Sequence, residues 1–195
     1  PTLAQVKEVE MVAFCDIVLE RAEEAQEQYG TTDSQVFSDY KEMLAAMDLD
    51  VVHVCTPNVS HAEISIAALE AGNHVMCEKP MAKTTAEARE MIEVAKRTGK
   101  KLTIGYQNRF ATESRYLQEV CAAGELGEIY SAKAHAIRRR AVPTWGVFLD
   151  EEAQGGGPLI DIGTHALDLT LWMMDNYKPK YVVGKTYHEL AKTEN

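Results

Sequence analysis

The chain has 195 residues, of which 46% are hydrophobic, and its formal net charge is −10. This apolar content is typical of a folded globular protein and excludes an intrinsically disordered chain. The acidic charge argues against nucleic acid or an anionic membrane surface as a partner, because both attract basic protein surfaces. At about 150 residues per domain, the length fits one large domain, or one domain with part of another.

No segment has the ~18 uncharged apolar residues that a membrane-spanning helix needs, since the nearest, 159–174, contains two aspartates and a histidine. Residues 1–10 are charged where a signal peptide would be apolar. The four cysteines are far apart and form no Cys-x-x-Cys pair. This spacing favours reduced thiols and a cytoplasmic location over a disulfide framework.

Short apolar segments alternate with amphipathic segments over residues 1–107. Strands are predicted at 9–15, 51–55, 74–77 and 102–106. Helices are predicted at 18–29, from an N-cap at Ser38 through Met47, at 61–70, and from a capping box at Thr84-Thr85-Ala86-Glu87 to Arg97, where Gly99 follows. Strands joined through helices form βαβ crossovers. The order therefore predicts an α/β fold with a parallel sheet and helices on both faces.

The pattern changes after Asn108. A helix at 111–123 is followed by a long strand-like segment at 128–138, a glycine-rich segment at 155–158, a helix at 163–175 and a final strand at 181–188. Long strands with few crossovers predict the start of a second, α+β domain. The sequence thus divides into domains at 1–107 and 108–195.

Polar residues follow the four predicted strands at their carboxyl ends, where ligands bind in open α/β sheets. They are Asp16, Thr56-Pro57-Asn58, Glu78-Lys79-Pro80 and Gln107-Asn108-Arg109. Each group taken alone has an ordinary explanation as a helix cap, a turn or a solvated loop. Their common position at one sheet edge predicts a binding site.

Asp16 ends a strand at the position where a carboxylate bonds the ribose 2′-hydroxyl of a dinucleotide, which favours NAD over NADP. The nearest basic residue that could accept a 2′-phosphate, Arg21, lies more than a turn into the next helix. The fingerprint G-x-G-x-x-G is absent, and the first glycine is Gly30. On these residues alone, the indication of dinucleotide binding is weak.

A second group of polar residues is Asp161-x-x-x-His165-x-x-Asp168, whose spacing places three side chains on one face of a helix. One interpretation is a metal site, although no third separate cluster of ligands supports it. Another is structural, with Asp161 as a helix cap and His165 as a buried, hydrogen-bonded residue. We favour the third, an Asp–His pair for proton transfer, because histidine titrates near neutral pH.

Four motifs occur in order along the chain: Thr56-Pro57-Asn58-x-x-His61, Ala68-Leu69-x-Ala71-Gly72-x-His74-Val75-x-Cys77-Glu78-Lys79-Pro80, Gly105-Tyr106-Gln107-Asn108-Arg109-Phe110 and Gly155-Gly156-Gly157-Pro158-x-x-Asp161-x-Gly163-x-His165-x-x-Asp168. Together they resemble the glucose-fructose oxidoreductase/inositol dehydrogenase/MocA family. The resemblance covers nearly the whole chain. It implies a Rossmann domain at 1–107 and the start of a substrate and oligomerisation domain at 108–195.

The resemblance implies an NAD(P)-dependent oxidoreductase that transfers a hydride between nicotinamide and a hydroxyl or carbonyl of a sugar or cyclitol. Lys79, Asp161 and His165 match catalytic positions, and either Lys79 or His165, oriented by Asp161, accepts the proton. Arg109, Asp161 and His165 are substrate candidates. The Lys79–Pro80 bond is expected to be cis. The cofactor candidates are Asp16, Thr56, Pro57, Asn58, His61, Glu78, Lys79 and Asn108.

The sequence departs from the family at several places. It lacks the first strand and the glycine-rich turn that hold the pyrophosphate, it stops soon after the second domain begins, and Gly146 follows Trp145 where the family often has arginine. We therefore expect a piece of a longer protein that by itself is inactive and binds NAD poorly.

For the whole protein we expect NAD as cofactor ahead of NADP, no metal, a sugar or polyol substrate, and a homo-oligomer without nucleic-acid or membrane partners. The alternatives are an NAD-dependent glycoside hydrolase of the same fold and a non-catalytic relative.

Overall fold

The computed structural model of the chain describes residues 2–138 and 142–187. Contacts divide it into two compact units, each built from separate stretches of sequence. The first unit contains the chain up to Val54, together with Ala62–Met76 and Arg89–Thr103. The second contains Cys55–His61, Cys77–Ala88 and the chain from Ile104 onward. Three of the four polar groups that the sequence places at strand ends, 56–58, 78–80 and 107–109, therefore belong to the second unit.

The strands among the described residues are short and form two sheets. They are β1 (Ala13–Cys15), β2 (Gln35–Phe37), β3 (Val51–Val54), β4 (His74–Cys77) and β5 (Leu102–Ile104). β1 and β2 pair in parallel, with Phe14 opposite Val36. The second sheet has the order β3-β4-β5.

The second sheet is parallel between β4 and β5. The Val75 N–H donates to the Lys101 carbonyl at 2.9 Å, and the Gly105 N–H donates to the Cys77 carbonyl at 2.8 Å. Because these bonds advance in the same direction along both strands, the predicted parallel arrangement and α/β class are confirmed.

The helices occupy most of the positions that the sequence predicts. They are α1 (Leu19–Tyr29), α2 (Tyr40–Ala46), α3 (His61–Glu70), α4 (Thr85–Thr98), α5 (Thr112–Ala122), α6 (Glu151–Gln154) and α7 (Thr164–Met174). Short 3₁₀ turns lie at Asn58–Ser60 and Gln107–Phe110, and a single π turn lies at Leu159–Gly163. These three short elements, the four-residue α6 and β2 were not predicted, because three to five residues are too few to show a periodicity.

The N-cap of helix α2 lies one residue later than predicted. Asp39, rather than Ser38, is the N-cap, and its carboxylate accepts a hydrogen bond from the Lys41 N–H at 2.7 Å. Aspartate and serine are about equally good caps, so the sequence does not distinguish them at neighbouring positions.

The predicted strands at 128–138 and 181–188 are wrong for the residues that the structure describes, since 128–138 and 181–187 have no regular structure. Tyr130 is 91% exposed and Val183 is 87% exposed. A strand is stabilised by hydrogen bonds to a neighbouring strand, and neither segment pairs with one among the described residues. His188 lies outside those residues. The α+β character assigned to 108–195 therefore stays a prediction.

The apolar core lies in the first unit. Its fully buried side chains include Leu69 of α3, Val75 of β4 and Met91 of α4. Buried polar side chains of the second unit are Asn58, His61 and His165. The first unit thus supplies a packed scaffold, and the second carries polar groups that need hydrogen-bond partners.

The predicted capping box starts helix α4. The Glu87 N–H donates to Thr84 Oγ1 at 3.2 Å, and the Thr84 N–H and hydroxyl donate to Glu87 Oε2 at 2.8 and 2.9 Å. We expect Thr84→Ala to lower the free energy of unfolding by about 1 kcal/mol, because the first turn of the helix loses these partners.

Thermal or denaturant unfolding of the full-length protein measures this loss. The neighbouring Thr85→Ala is the control, because Thr85 is the first residue of α4 and has no capping role. Equal stability of the two variants would contradict the prediction.

Candidate active site

An ion pair joins the loop after β4 to the segment before α7. The Lys79 ammonium donates to Asp161 Oδ1 at 2.9 Å and to the Asp161 carbonyl at 3.1 Å. The two side chains are only 17% and 25% exposed. Two of the three predicted catalytic residues, 82 positions apart, are therefore in direct contact.

His165 lies in the first turn of α7 and is 6% exposed. The ring of Tyr106 meets its ring edge-on, with centroids 6.1 Å apart and planes at 87°. Its Nδ1 is buried and has no hydrogen-bond partner within the described residues. The sequence predicts that Asp161 orients His165. The Asp161 carboxylate bonds Lys79 instead, and no hydrogen bond joins it to His165 in the described residues.

The π turn before α7 explains this choice of partner. The Gly163 N–H donates to the Pro158 carbonyl, five residues earlier, at 2.8 Å. This turn is wider than a turn of α-helix, so the angle between Asp161 and His165 differs from the one that α-helical spacing predicts. Asp161 thus faces Lys79 although it precedes His165 by one nominal helical turn.

The surroundings of His165 favour a neutral ring. Burial, followed by the Lys79 ammonium, lowers the pKa of His165 below its usual value of 6.5. The carboxylates of Asp161, Asp168 and Glu78 act in the opposite direction but are weaker. A neutral imidazole at neutral pH can accept a proton, as a general base must.

Arg109 forms a second ion pair with α7. Its Nε and Nη2 donate to Asp168 Oδ2 and Oδ1 at 2.7 and 2.5 Å, which is the bidentate geometry of a guanidinium on a carboxylate. Its guanidinium carbon also lies 5.1 Å from the ring centre of Trp172. The hydrogen bond to Asp168 is the main cause that raises the pKa of Arg109, so the guanidinium stays charged.

His61 connects the two loops that follow β3 and β4. Its ring is 1% exposed, with Nδ1 at 2.7 Å from the Pro80 carbonyl and Nε2 at 2.8 Å from the Thr56 carbonyl. Carbonyl oxygens only accept, so a neutral ring donates to one of them and a cationic ring donates to both. The Lys79–Pro80 peptide bond is cis, as the resemblance implies.

Two further side chains bond α6, directly before the glycine-rich segment. Asn58 is 8% exposed, and its amide donates to the Gln154 carbonyl at 2.9 Å. Lys83 donates to the Glu152 carbonyl. Gly155 has φ +77°, and a Cβ there would come within 2.9 Å of the Lys83 side chain. Glycine at 155 is thus required both by backbone conformation and by the approach of lysine.

Asp16 lies in the first unit, at the end of β1. Its Oδ1 accepts from the Val18 N–H at 2.8 Å, and its side chain is 36% exposed. Arg21 was expected to be too distant to matter, but its Nη1 is 4.0 Å from Asp16 Oδ1. The arginine side chain is long enough to reach back over more than one turn of α1.

Comparison with known proteins identifies the family. Residues 1–106 match the profile described as "Oxidoreductase family, NAD-binding Rossmann fold", and residues 114–194 match the "GFO/IDH/MocA C-terminal domain". The chain belongs to the GFO/IDH/MocA oxidoreductase family. The Rossmann-type fold class and the resemblance drawn from the motifs are both confirmed.

The curated relatives include D-glucoside 3-dehydrogenase of Escherichia coli K12, which is 48% identical over 94% of this chain and 52% of its own length. Inositol 2-dehydrogenase of Salmonella paratyphi B is 30% identical over 96% of this chain and 54% of its own length. This chain thus spans about half the length of these relatives.

Among solved structures, a levoglucosan dehydrogenase in complex with NADH and levoglucosan superposes with a TM-score of 0.70 at 29% identity. The match covers 84% of this chain and 44% of that protein. Within the described residues, no helix is long and apolar enough to cross a membrane.

Most of the family positions named from the sequence lie in the second unit, in the segments at 55–61, 77–88 and beyond 104. Thr56 and Pro57 are exposed, Asn108 is half-buried in the 3₁₀ turn after β5, and the Glu78 carboxylate lies 3.1 Å from where a Cβ on Gly105 would stand. In 2–138 and 142–187, no group of three or more His, Cys, Asp or Glu could hold a metal ion.

Sequence reasoning missed two residues of the site, Tyr106 and Lys83. Tyr106 stands inside a quoted family motif, but its contacts with Thr164 and His165 cross 58 positions or more and leave no local pattern. Lys83 occurs in a loop where lysine is ordinary, so only the fold could connect it with Glu152.

The two contacts of His61 predict a loss of stability when the ring is removed. We expect His61→Leu to lower the free energy of unfolding by about 2 kcal/mol, because at least one buried carbonyl group loses its hydrogen-bond donor and the ring no longer lies between the two loops. Denaturant unfolding of the full-length protein measures this change.

His135→Leu is the matched control, since His135 is exposed. A His61→Leu protein as stable as this control would show that the ring does not hold the two loops.

Proposed function

We propose that this chain carries the catalytic groups of an NAD-dependent dehydrogenase, and that the whole protein interconverts a hydroxyl and a carbonyl on a sugar or cyclitol. The observation that carries the proposal is the Lys79–Asp161 ion pair next to a buried His165 whose pKa is lowered. The relatives named as D-glucoside and inositol dehydrogenases support the substrate class.

We propose that the chain supplies hydrogen-bonding groups for a dinucleotide. In the first unit, Asp16 offers a partly exposed carboxylate that can accept from ribose hydroxyls. In the second unit, the proposed cofactor residues are Thr56, Pro57, Asn58, His61, Glu78, Lys79 and Asn108. When bound, NAD supplies the hydride acceptor, and the protein supplies orientation and proton transfer.

Lys79, His165 and Asp161 are proposed to have different roles in the reaction. The Lys79 ammonium can donate a hydrogen bond to the reacting oxygen, which stabilises the negative charge that develops there as the hydroxyl loses its proton. His165 can accept that proton because its ring is neutral. Asp161 holds the Lys79 ammonium in place. Of the two bases that the sequence leaves open, we therefore propose His165.

Other parts of the proposal concern the whole protein. We propose a boundary near 107, with the dinucleotide domain before it and the substrate domain after it, supported by the profile matches at 1–106 and 114–194.

We also propose a cytoplasmic homo-oligomer. The four cysteines are all free thiols in the described residues, which is consistent with a reducing compartment.

The activity is tested by incubating the full-length protein with NAD and a panel of sugars and inositols while NADH absorbance is recorded. We expect turnover, and we expect Lys79→Met and His165→Gln to lower kcat by about a hundredfold or more. Lys96→Met, which removes an exposed lysine paired with Glu93, is the control and leaves kcat unchanged.

The pH profile provides a second readout for His165. Because the pKa of His165 is lowered, its ring stays neutral to a more acidic pH than usual. The oxidation rate should therefore fall only below about pH 6.5 in the wild type, and this limb should disappear in His165→Gln.

Three experimental outcomes would contradict the proposed dehydrogenase activity. Release of sugar from an aryl glycoside without net NADH would indicate a glycoside hydrolase of the same fold. Sugar binding without any turnover would indicate a non-catalytic relative. An unchanged rate in both Lys79→Met and His165→Gln would exclude the proposed mechanism.

We propose NAD rather than NADP because the Asp16 carboxylate would repel a 2′-phosphate. Asp16→Ser should lower kcat/KM with NAD by about tenfold, by loss of a hydrogen bond to a charged group, and raise it with NADP. Arg21, 4.0 Å from Asp16, is then free to approach the phosphate.

Asp33→Ser is the control, because it removes the same charge from an exposed position in the first unit. A ratio of NAD to NADP activity that is equal in both variants would refute the preference.

A further inference from the structure

Two side chains at the 3₁₀ turn after β5, Tyr106 directly before it and Arg109 within it, both contact helix α7. Tyr106 Oη lies 3.0 Å from Thr164 Oγ1. Arg109 makes its two bonds to Asp168, four residues further along the helix. The turn therefore contacts α7 at its first residue and again one turn later.

These contacts lie on the part of α7 that carries His165. Asp168 and Trp172 follow His165 by three and seven residues, so the three side chains share one helical face. Arg109 contacts both Asp168 and Trp172. A rotation or shift of α7 that moved His165 would have to break this pair of contacts.

The ring of His165 has little else to orient it. A catalytic histidine is commonly oriented by a carboxylate that bonds its second nitrogen. Here Nδ1 has no partner in the described part of the chain, and Asp161 is bonded to Lys79. The position of the ring therefore depends on the helix that carries it and on the edge-on contact with Tyr106.

We infer that Tyr106 and Arg109 are positioning residues for His165, and that they act by holding helix α7 through Thr164, Asp168 and Trp172. This inference rests on the proposed function of His165. It also assigns Arg109 a role different from the substrate contact that the family resemblance suggests, because its guanidinium is bonded to Asp168 and stacked on Trp172.

The ion pair has the properties that such a role needs. The side chains of Arg109 and Asp168 are 31% and 13% exposed, so water competes less than at a surface pair. The planar guanidinium fixes both the distance and the angle to the carboxylate. Lysine keeps the charge but loses the two parallel bonds, which makes Arg109→Lys a test of geometry rather than of charge.

The first measurement is the steady-state kinetics of the full-length protein. We expect Arg109→Lys to lower kcat by about tenfold while the KM for sugar and the affinity for NADH change less than twofold, because misplacement of a catalytic group affects the chemical step. Tyr106→Phe, which keeps the ring beside His165 but loses the bond to Thr164, should have a smaller effect in the same direction.

Arg97→Lys is the matched control. Arg97 forms an exposed ion pair with Glu70 at 2.7 Å, in the first unit, and its replacement should leave kcat unchanged. Active sites are counted by NADH binding, so that a variant with less folded protein is not mistaken for a slower enzyme.

The second measurement does not need turnover. In protein labelled with ¹⁵N-histidine, the imidazole signals of His165 are assigned by their loss in His165→Gln. We expect Arg109→Lys to shift or broaden these signals and Arg97→Lys to leave them in place. If the wild type oxidises no sugar but the His165 signals respond in this way, the proposed function fails and the positioning role stands.

Three results would overturn the inference. A tenfold rise in the KM for sugar at unchanged kcat would make Arg109 a substrate contact. If kcat per active site is unchanged in Arg109→Lys, the role of Arg109 is merely structural. His165 signals that are the same in Arg109→Lys and Arg97→Lys would show that the ring does not depend on Arg109.

Discussion

The ion pair between Lys79 and Asp161 is the interaction on which the rest of the site depends. Each charge is mostly withdrawn from water, and either one alone would be costly to bury without the other. The pair joins the loop after β4 to the π turn before α7. It also occupies the Asp161 carboxylate, four residues before His165, and places the ammonium where, after burial, it lowers the pKa of the imidazole. This one contact therefore favours His165, rather than Lys79, as the proposed base.

Buried polar groups, rather than an apolar core, organise the segments around this pair. The apolar core residues Leu69, Val75 and Met91 lie in the first unit, whereas Asn58, His61 and His165 are buried in the second. Asn58 and His61 each bond backbone carbonyls of segments distant in sequence. Loops cannot bury much apolar surface, so side-chain bonds to the backbone hold them. The candidate catalytic side chains thus lie in segments of the second unit that are held by polar contacts.

The local sequence was a good guide where a structure depends on near neighbours. The capping box of α4, the helix α3 and the strand β4 all occur where hydrophobic pattern and caps predict them. It was a poor guide to 128–138 and 181–187, whose alternating or β-branched residues look like strands but have no strand beside them in the described chain. Strand propensity describes how well a segment fits a sheet, not whether a neighbouring strand is present.

For the candidate site, too, local sequence patterns and tertiary contacts determined different features. The sequence by itself singled out Lys79, Asp161 and His165 as candidates, because the motifs that contain them occur in order along the chain and resemble those of one family. It also predicted the α/β class from alternating strands and helices. Only the tertiary structure decided which side chains pair. Asp161 bonds a lysine 82 positions away rather than the histidine four positions away, and Arg109 bonds Asp168 across 59 positions. Spacing along a helix predicts a shared face only for regular α-helix, and the π turn at Leu159–Gly163 changes that angle.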